Sequence, residues 1–121
     1  MCRILVVDDD PDTCVNMADI LSEEGYTTHT AENGADALEK AREQSYEIGL
    51  IDLRMPGMDG LTLCRHLRRM CPSMATLIVT GHPHDGLIEE ASAVGVRRVV
   101  TKPIKFGNLL ELVQKSLLTD N

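Results

Sequence analysis

The chain has 121 residues, 43% of them hydrophobic and 26% charged, with a formal net charge of −7. That is the length of one domain with apolar content enough for a single core, and no run approaches the roughly 18–20 apolar residues of a membrane span. The bases are neither clustered nor interleaved with aromatics (one Phe, two Tyr, no Trp), so direct nucleic-acid binding is not expected. No basic stretch followed by an apolar one opens the chain, so a cytoplasmic location is expected. The four cysteines (Cys2, Cys14, Cys64, Cys71) fit no zinc or redox spacing and read as reduced thiols. Charge is uneven: residues 1–60 carry 14 acids and 4 bases, residues 61–121 carry 5 acids and 8 bases. The acidic half suits a cation or a basic partner, although helix surfaces need charges of some sign in any case.

The first apolar run, Ile4-Leu5-Val6-Val7, stops at Asp8-Asp9-Asp10. Asp10-Pro11 then reads as a helix opening, Asp as N-cap and Pro at the first helical position. Cys14, Met17, Ala18 and Leu21 repeat at helical spacing up to a stop at Gly25. Thr27 to Ala31 is a short β-branched strand, and Asn33-Gly34 opens a second helix with Ala37, Leu38 and Ala41 inward, closing near Ser45. Ile48-Gly49-Leu50-Ile51 ends at Asp52, and after the loop Arg54 to Met58, Asp59 caps a third helix carrying Leu61, Cys64 and Leu67 until Pro72. Leu77-Ile78-Val79 ends at Thr80, followed by a helix with Leu87, Ile88, Ala91 and Val94 that stops at Gly95. Val99-Val100 leads through Thr101 to Lys102-Pro103, and Phe106, Leu109, Leu110, Val113 and Leu117 mark the last helix.

Apolar runs this short between turn signals read as buried strands. Strict alternation with helices implies a parallel sheet covered on both faces, and right-handed crossovers make it doubly wound. The expected fold is α/β, a (βα)5 flavodoxin-like three-layer sandwich with five strands in the order 2-1-3-4-5, occupying residues 1–121 as a single domain. A closed eight-unit barrel would need roughly twice the length.

In such a sheet ligands bind beyond the carboxyl ends of the strands, which is where Asp8, Asp9, Asp52, Thr80 and Lys102 fall. Close carboxylates repel, so two strand ends hold charge together only with a cation between them. Short hard-oxygen ligands suit Mg2+, with Mn2+ an alternative, the ion taking one or two carboxylates plus a phosphate. Asp10, committed to a helix cap, stands outside that set. Lys102 can bind a phosphoryl oxygen as a point charge, and Thr80 can donate a hydroxyl hydrogen bond. Singly, a strand-end Thr or Lys is ordinary; with acids at two other strand ends they form a constellation.

Ile4-Leu-Val-Val-Asp-Asp-Asp-Pro11, Leu50-Ile-Asp-Leu-Arg-Met-Pro-Gly-Met-Asp-Gly60, Ile78-Val-Thr-Gly81 and Thr101-Lys-Pro-Ile104 together resemble the receiver domain of bacterial response regulators, over essentially the whole chain. The resemblance implies that Asp52 takes a phosphoryl group from a phosphohistidine on a sensor histidine kinase or histidine phosphotransfer protein. It implies direct metal ligation by Asp9, ligation partly through water by Asp8, and contacts from Asp52 and the Arg54 carbonyl. It gives Lys102 and Thr80 to the phosphoryl oxygens, with donation from the backbone at Arg54 and Gly81. The Lys102-Pro103 bond is expected to be cis, and residues 80–118 to form the face read by an output domain or target protein through the last helices. The product would be a self-assisting phosphoacceptor rather than a turnover enzyme; a homodimer is left open, as is a longer parent protein.

One departure stands out. Receivers commonly carry a Tyr or Phe three residues before the lysine, where this chain has Val99, so output would rest on Thr80 and the loop Gly81–Gly86. Arg54 and His82 flank the phosphoryl position and are candidates for tuning its lifetime, against the plainer reading of exposed loop residues. His29, His66 and His84 read as structural or solvated. The alternatives are a degenerate receiver that binds protein constitutively, a shuttle or sink that passes phosphoryl to a histidine phosphotransfer protein, and an aspartyl-nucleophile hydrolase. Intact Asp8, Asp9, Asp52, Thr80 and Lys102 argue against the first. Leu53 and Arg54, where a hydrolase would want a general acid, argue against the last.

Overall fold

The inner strands of the sheet alternate their side chains between two apolar layers, and that alternation fixes the architecture. The computed structural model describes residues 2–118. In chain order the elements are β1 (Arg3–Val7), α1 (Pro11–Glu23), β2 (Thr27–Ala31), α2 (Gly34–Glu43), β3 (Ile48–Asp52), α3 (Gly60–Met70), β4 (Ala75–Thr80), α4 (Leu87–Ala93), β5 (Arg98–Thr101) and α5 (Phe106–Leu118). All strand pairs are parallel and the sheet order is β2-β1-β3-β4-β5, as the alternation of elements predicts.

Leu5, Val7, Ile51 and Ile78 point to one side of the sheet and pack with Ala37, Leu63, Leu67, Leu87 and Ala91 from α2, α3 and α4. Ile4, Val6, Leu50, Leu77 and Val79 point to the other and pack with Cys14, Leu21, Leu109 and Val113 from α1 and α5. A period of two with both faces apolar is the signature of a sheet covered on both sides. Each fully buried Leu or Ile contributes about 1.5–3 kcal/mol against exposure.

Short polar side chains start the helices. Asp10, Asn33 and Asp59 each accept from a backbone N–H in the first turn, of Asp12, Asp36 and Thr62 respectively. Gly25, after α1, has φ +96°, the left-handed conformation that ends a helix without Cβ strain. On the edge strand β2, Lys40 Nζ donates to the Thr30 carbonyl at 2.7 Å and pairs with Asp36 at 3.1 Å. His29 Nδ1 lies 2.7 Å from the Tyr46 hydroxyl in an edge-on ring contact, a structural pairing.

Several details differ from the sequence reading. β4 begins at Ala75, earlier than the run Leu77–Val79, because Ala75 and Thr76 pair with Ile48 and Gly49. Leu63 joins Leu67 as a fully buried leucine of α3, whereas Leu61 is half-buried. Ile88 is 70% exposed: α4 is only seven residues long, its inward face is Leu87 and Ala91, and the next residue is turned roughly 100° away. On α5, Leu109 and Val113 are buried while Leu110 and Leu117 are half-buried. The side chain of Phe106 lies outside the described residues.

Candidate functional site

β1 and β3 are neighbours, so Asp8, just past the end of β1, and Asp52, the last residue of β3, come together without any special loop. The Asp8 N–H donates to the Ala31 carbonyl at 3.1 Å, which extends the β1–β2 ladder by one residue and holds Asp8 in line. Asp8 and Asp52 are 3% and 8% exposed, whereas Asp9 points outward and has no hydrogen-bond or ion-pair partner among the described residues. One carboxylate oxygen from each of Asp8, Asp9 and Asp52 lies within 4.8 Å of the others.

Lys102 follows β5 directly, at the far side of the rim, and is joined to Pro103 by a cis bond. Its Nζ donates to Asp8 Oδ2 at 2.7 Å and to Asp52 Oδ1 at 3.3 Å. One cation thus stands between two buried anions. Burial draws the ammonium down, but the Asp8 hydrogen bond and the charges of Asp8 and Asp52 outweigh it, so Lys102 titrates above its ordinary range. The Asp52 carboxyl is raised, first by burial and next by the charge of Asp8, with Lys102 pulling the other way. Three carboxylates against one ammonium leave this corner of the rim net negative.

Asp8, Asp9, Asp10, Asp52, Arg54, Thr80, Gly81, His82 and Lys102 line one cleft of about 390 Å³. All the residues expected at the site meet there, with Arg54 and His82 exposed on its walls. Asp10 lines the cleft as well, but its oxygens are engaged: Oδ1 accepts from Asp12 N–H at 3.1 Å and Oδ2 from the Thr13 hydroxyl at 2.9 Å. Its role as a cap is borne out. Thr80 is 1% exposed, and its Oγ1 accepts the His82 N–H at 3.0 Å. A hydroxyl that accepts one bond retains its own proton to donate.

Some contacts have no signal in the sequence. The Asp10 N–H donates to Asp8 Oδ1 at 3.0 Å, so both oxygens of Asp8 are held. Cys14 Sγ donates to the Asp8 carbonyl at 3.2 Å and secures the same residue from beneath. The loop after Asp52 is closed by Gly60 N–H on the Leu53 carbonyl at 2.8 Å, with Met55 buried inside it. These bonds orient the acids; they depend on tertiary placement.

Three oxygen donors with a net excess of negative charge fit a small divalent cation. Asp9 is exposed and partnerless among the described residues, and Asp52 has one oxygen beyond the Lys102 contact, so lone pairs remain for an ion. No helix among the described residues is long and apolar enough to cross a membrane.

Comparison with known proteins agrees with this arrangement. The chain is 39% identical over 112 residues to a response regulator receiver protein of Anaeromyxobacter sp. (strain Fw109-5), covering 93% of this chain and 47% of the relative. It thus spans about half the length of that relative, and 26% of the length of others matched at 34–35% identity. The crystal structure of a CheY-like receiver domain protein from Methanospirillum hungatei superposes with a TM-score of 0.96 at 28% identity, over 99% of this chain and 96% of that one. The response regulator TrrA of Thermotoga maritima, solved in complex with Mg2+ and BeF, gives 0.86 at 34% identity, over 96% and 99%. Residues 4–114 match the response regulator receiver domain family, and to that family, the receivers of two-component signalling, this chain belongs.

Proposed function

We propose that the chain acts as one phosphoacceptor domain over residues 1–121, taking a phosphoryl group onto Asp52 from a phosphohistidine with Mg2+ bound at Asp8, Asp9 and Asp52. The observation that carries this reading is the Lys102 ammonium shared between Asp8 and Asp52, beside a third carboxylate within 4.8 Å. Metal ligands and a cation for phosphoryl oxygens meet at one nucleophile.

Phosphoryl transfer needs in-line placement and neutralisation of charge on three oxygens rather than covalent assistance. A carboxylate oxygen of Asp52 forms the new P–O bond as the P–N bond breaks, and the imidazole nitrogen leaves with the bonding pair. Asp9, Asp52 and the Arg54 carbonyl would hold the metal, and Asp8 would contribute partly through water. When bound, the ion supplies positive charge to the phosphoryl oxygens. Lys102 neutralises a second oxygen, and the Thr80 hydroxyl and the backbone at Arg54 and Gly81 donate to the rest. Splitting the transfer through an acyl phosphate makes each step easier.

The donor would be a sensor histidine kinase or a histidine phosphotransfer protein in the cytoplasm, and the reader an output domain or target protein on the 80–118 face. TrrA, solved with Mg2+ and BeF, supports the choice of ion. The test is incubation with Mg2+ and a small phosphodonor followed by intact-mass measurement. A single phosphoryl addition, lost in Asp52→Asn and on chelation of the metal, is expected. No addition, or one that persists in Asp52→Asn, would return the chain to a constitutive binding role.

A further inference from the structure

Helix α3 carries a charge pattern that the acid site does not use. Its 11 residues include Arg65, His66, Arg68 and Arg69 and no acid, and all four of these side chains are exposed. Arg65, Arg68 and Arg69 stand three and four residues apart, so helical geometry gathers them on one face. None of the four has a hydrogen-bond or ion-pair partner among the described residues. Arg68 and Arg69, in the last turn, complement the partial negative charge of the helix end. Arg65 lies before that turn, where the same reason does not reach. Arg68 also lies across Gly95, so close that a Cβ there would sit 2.7 Å from both its Cδ and its Cζ.

At the carboxyl end of the same helix a groove of about 320 Å³ opens toward α2. Met70, Cys71 and Pro72 line it from one side, and Arg42, Glu43 and Gln44 from the other. Met70 is 37% exposed there, a flexible thioether that adapts to varied apolar side chains. Gln44 precedes β3 and Pro72 precedes β4, so the groove lies at the amino ends of the strands, opposite the acid site.

We propose that the outer face of α3 and this groove form a docking surface for an acidic protein segment, its carboxylates on Arg65, Arg68 and Arg69 and one apolar side chain against Met70. Charge complementarity sets the partner's sign. The chain at −7 repels anions from afar, but screening confines each charge to about 8 Å at physiological salt, so the arginines dominate their own face. Unpaired guanidinium groups match carboxylates bidentately. Nucleic acid is disfavoured, because the arginines stand on a helix without Phe, Tyr or Trp to stack a base. A membrane surface is disfavoured, because the apolar side of α3, Leu63 and Leu67, is committed to the core. A second copy would bring its own charge of −7 to the contact. The surface stands apart from the phosphoacceptor reading and would hold its partner whether or not Asp52 is phosphorylated.

The experiment titrates the chain with a short synthetic peptide of Glu-Glu-Leu repeats and follows amide NMR shifts. Shifts should cluster at residues 65–71 and 41–46 and leave Asp8, Asp52 and Thr80 unmoved. Binding should fade as salt rises from about 0.1 to 1 M. Arg65→Glu and Arg69→Glu should each weaken it about two- to tenfold while melting near wild type and keeping the response to Mg2+. Met70→Glu should weaken it as well, and a peptide of Gln-Gln-Leu repeats should not bind. No shifts, shifts elsewhere, equal binding of the neutral peptide, or affinity untouched by the arginine variants would each overturn the docking surface. Tighter binding of a DNA duplex or of phosphatidylserine vesicles through the same arginines would overturn the protein partner in favour of nucleic acid or membrane. A dimer of the chain alone, seen by sedimentation and lost in Arg69→Glu, would overturn it in favour of a second copy.

Discussion

The main-chain carbonyl of Asp52 occupies the place where a Cβ would lie at Gly60, with Leu53 Cα 3.0 Å and the Asp52 carbonyl carbon 3.1 Å from that position. Helix α3 therefore starts directly against the strand end that carries the central acid. The neighbour is backbone, which cannot swing aside as a side chain can. Gly60→Ala should destabilise the chain by about 1–3 kcal/mol, toward the upper end, through overpacking. Urea unfolding measures the loss. Because Asp52 must shift to admit the methyl group, stabilisation by Mg2+ should weaken in the same variant.

Asp9 tests the metal site with little structural penalty, since it is exposed and partnerless among the described residues. An ion that binds only the folded chain stabilises it by about 2.7 kcal/mol at a hundredfold excess over its Kd. Melting in Mg2+ should rise accordingly for wild type. Asp9→Asn should lose most of that gain while melting near wild type in a chelator. An equal gain in the variant would remove Asp9 from the ligands.

The titration of Asp52 and Lys102 sets the pH dependence of stability. The Asp52 carboxyl is raised from its ordinary 3.8, so the folded chain binds that proton more tightly than the unfolded one. Its contribution therefore falls as pH rises from near 3.8 through the raised folded value, then levels off. Asp52→Asn should remove this slope and melt higher than wild type at neutral pH without metal. Lys102 is raised above 10.5, so its contribution is full below that value and lost as pH climbs through the folded one. Melting curves across pH for wild type, Asp52→Asn and Lys102→Met separate the two limbs.

The cysteines should divide into two classes. Burial, helped by the charge of Asp8, pushes Cys14 up to about 11; burial pushes Cys64 to about 12 despite a hydrogen bond with Thr76. At pH 8 their thiolate fractions are on the order of a thousandth and a ten-thousandth, and the thiolate is the nucleophile. Cys2 and Cys71 are half-buried. A disulfide reagent should find two thiols promptly and two only on unfolding. Four equally fast thiols would contradict the packing around β1 and α3.

The strands and the residues that end them are legible in the sequence because a short continuous apolar run, broken by an acid, a hydroxyl or a lysine, is a local pattern. Asp10 is legible for the same reason, since capping acts within one turn. Ile88 is misread because a seven-residue helix gives too few turns to show which of two adjacent apolar residues faces in. The grip on Asp8 by Lys102 cannot be read from the sequence, because the partner stands 94 residues away and only the folded sheet sets the distance. The contact of Arg68 with Gly95 is invisible in the same way, as it depends on how α3 and α4 lie together.

Lys40 gives the edge of the sheet a different kind of protection. β2 is rich in threonine, and its outer side is where another extended chain would add. With the Lys40 ammonium seated on the Thr30 carbonyl, an arriving strand would have to displace a charged group and leave it poorly solvated against the new pair. The molecule thus carries its own barrier to edge-to-edge polymerisation.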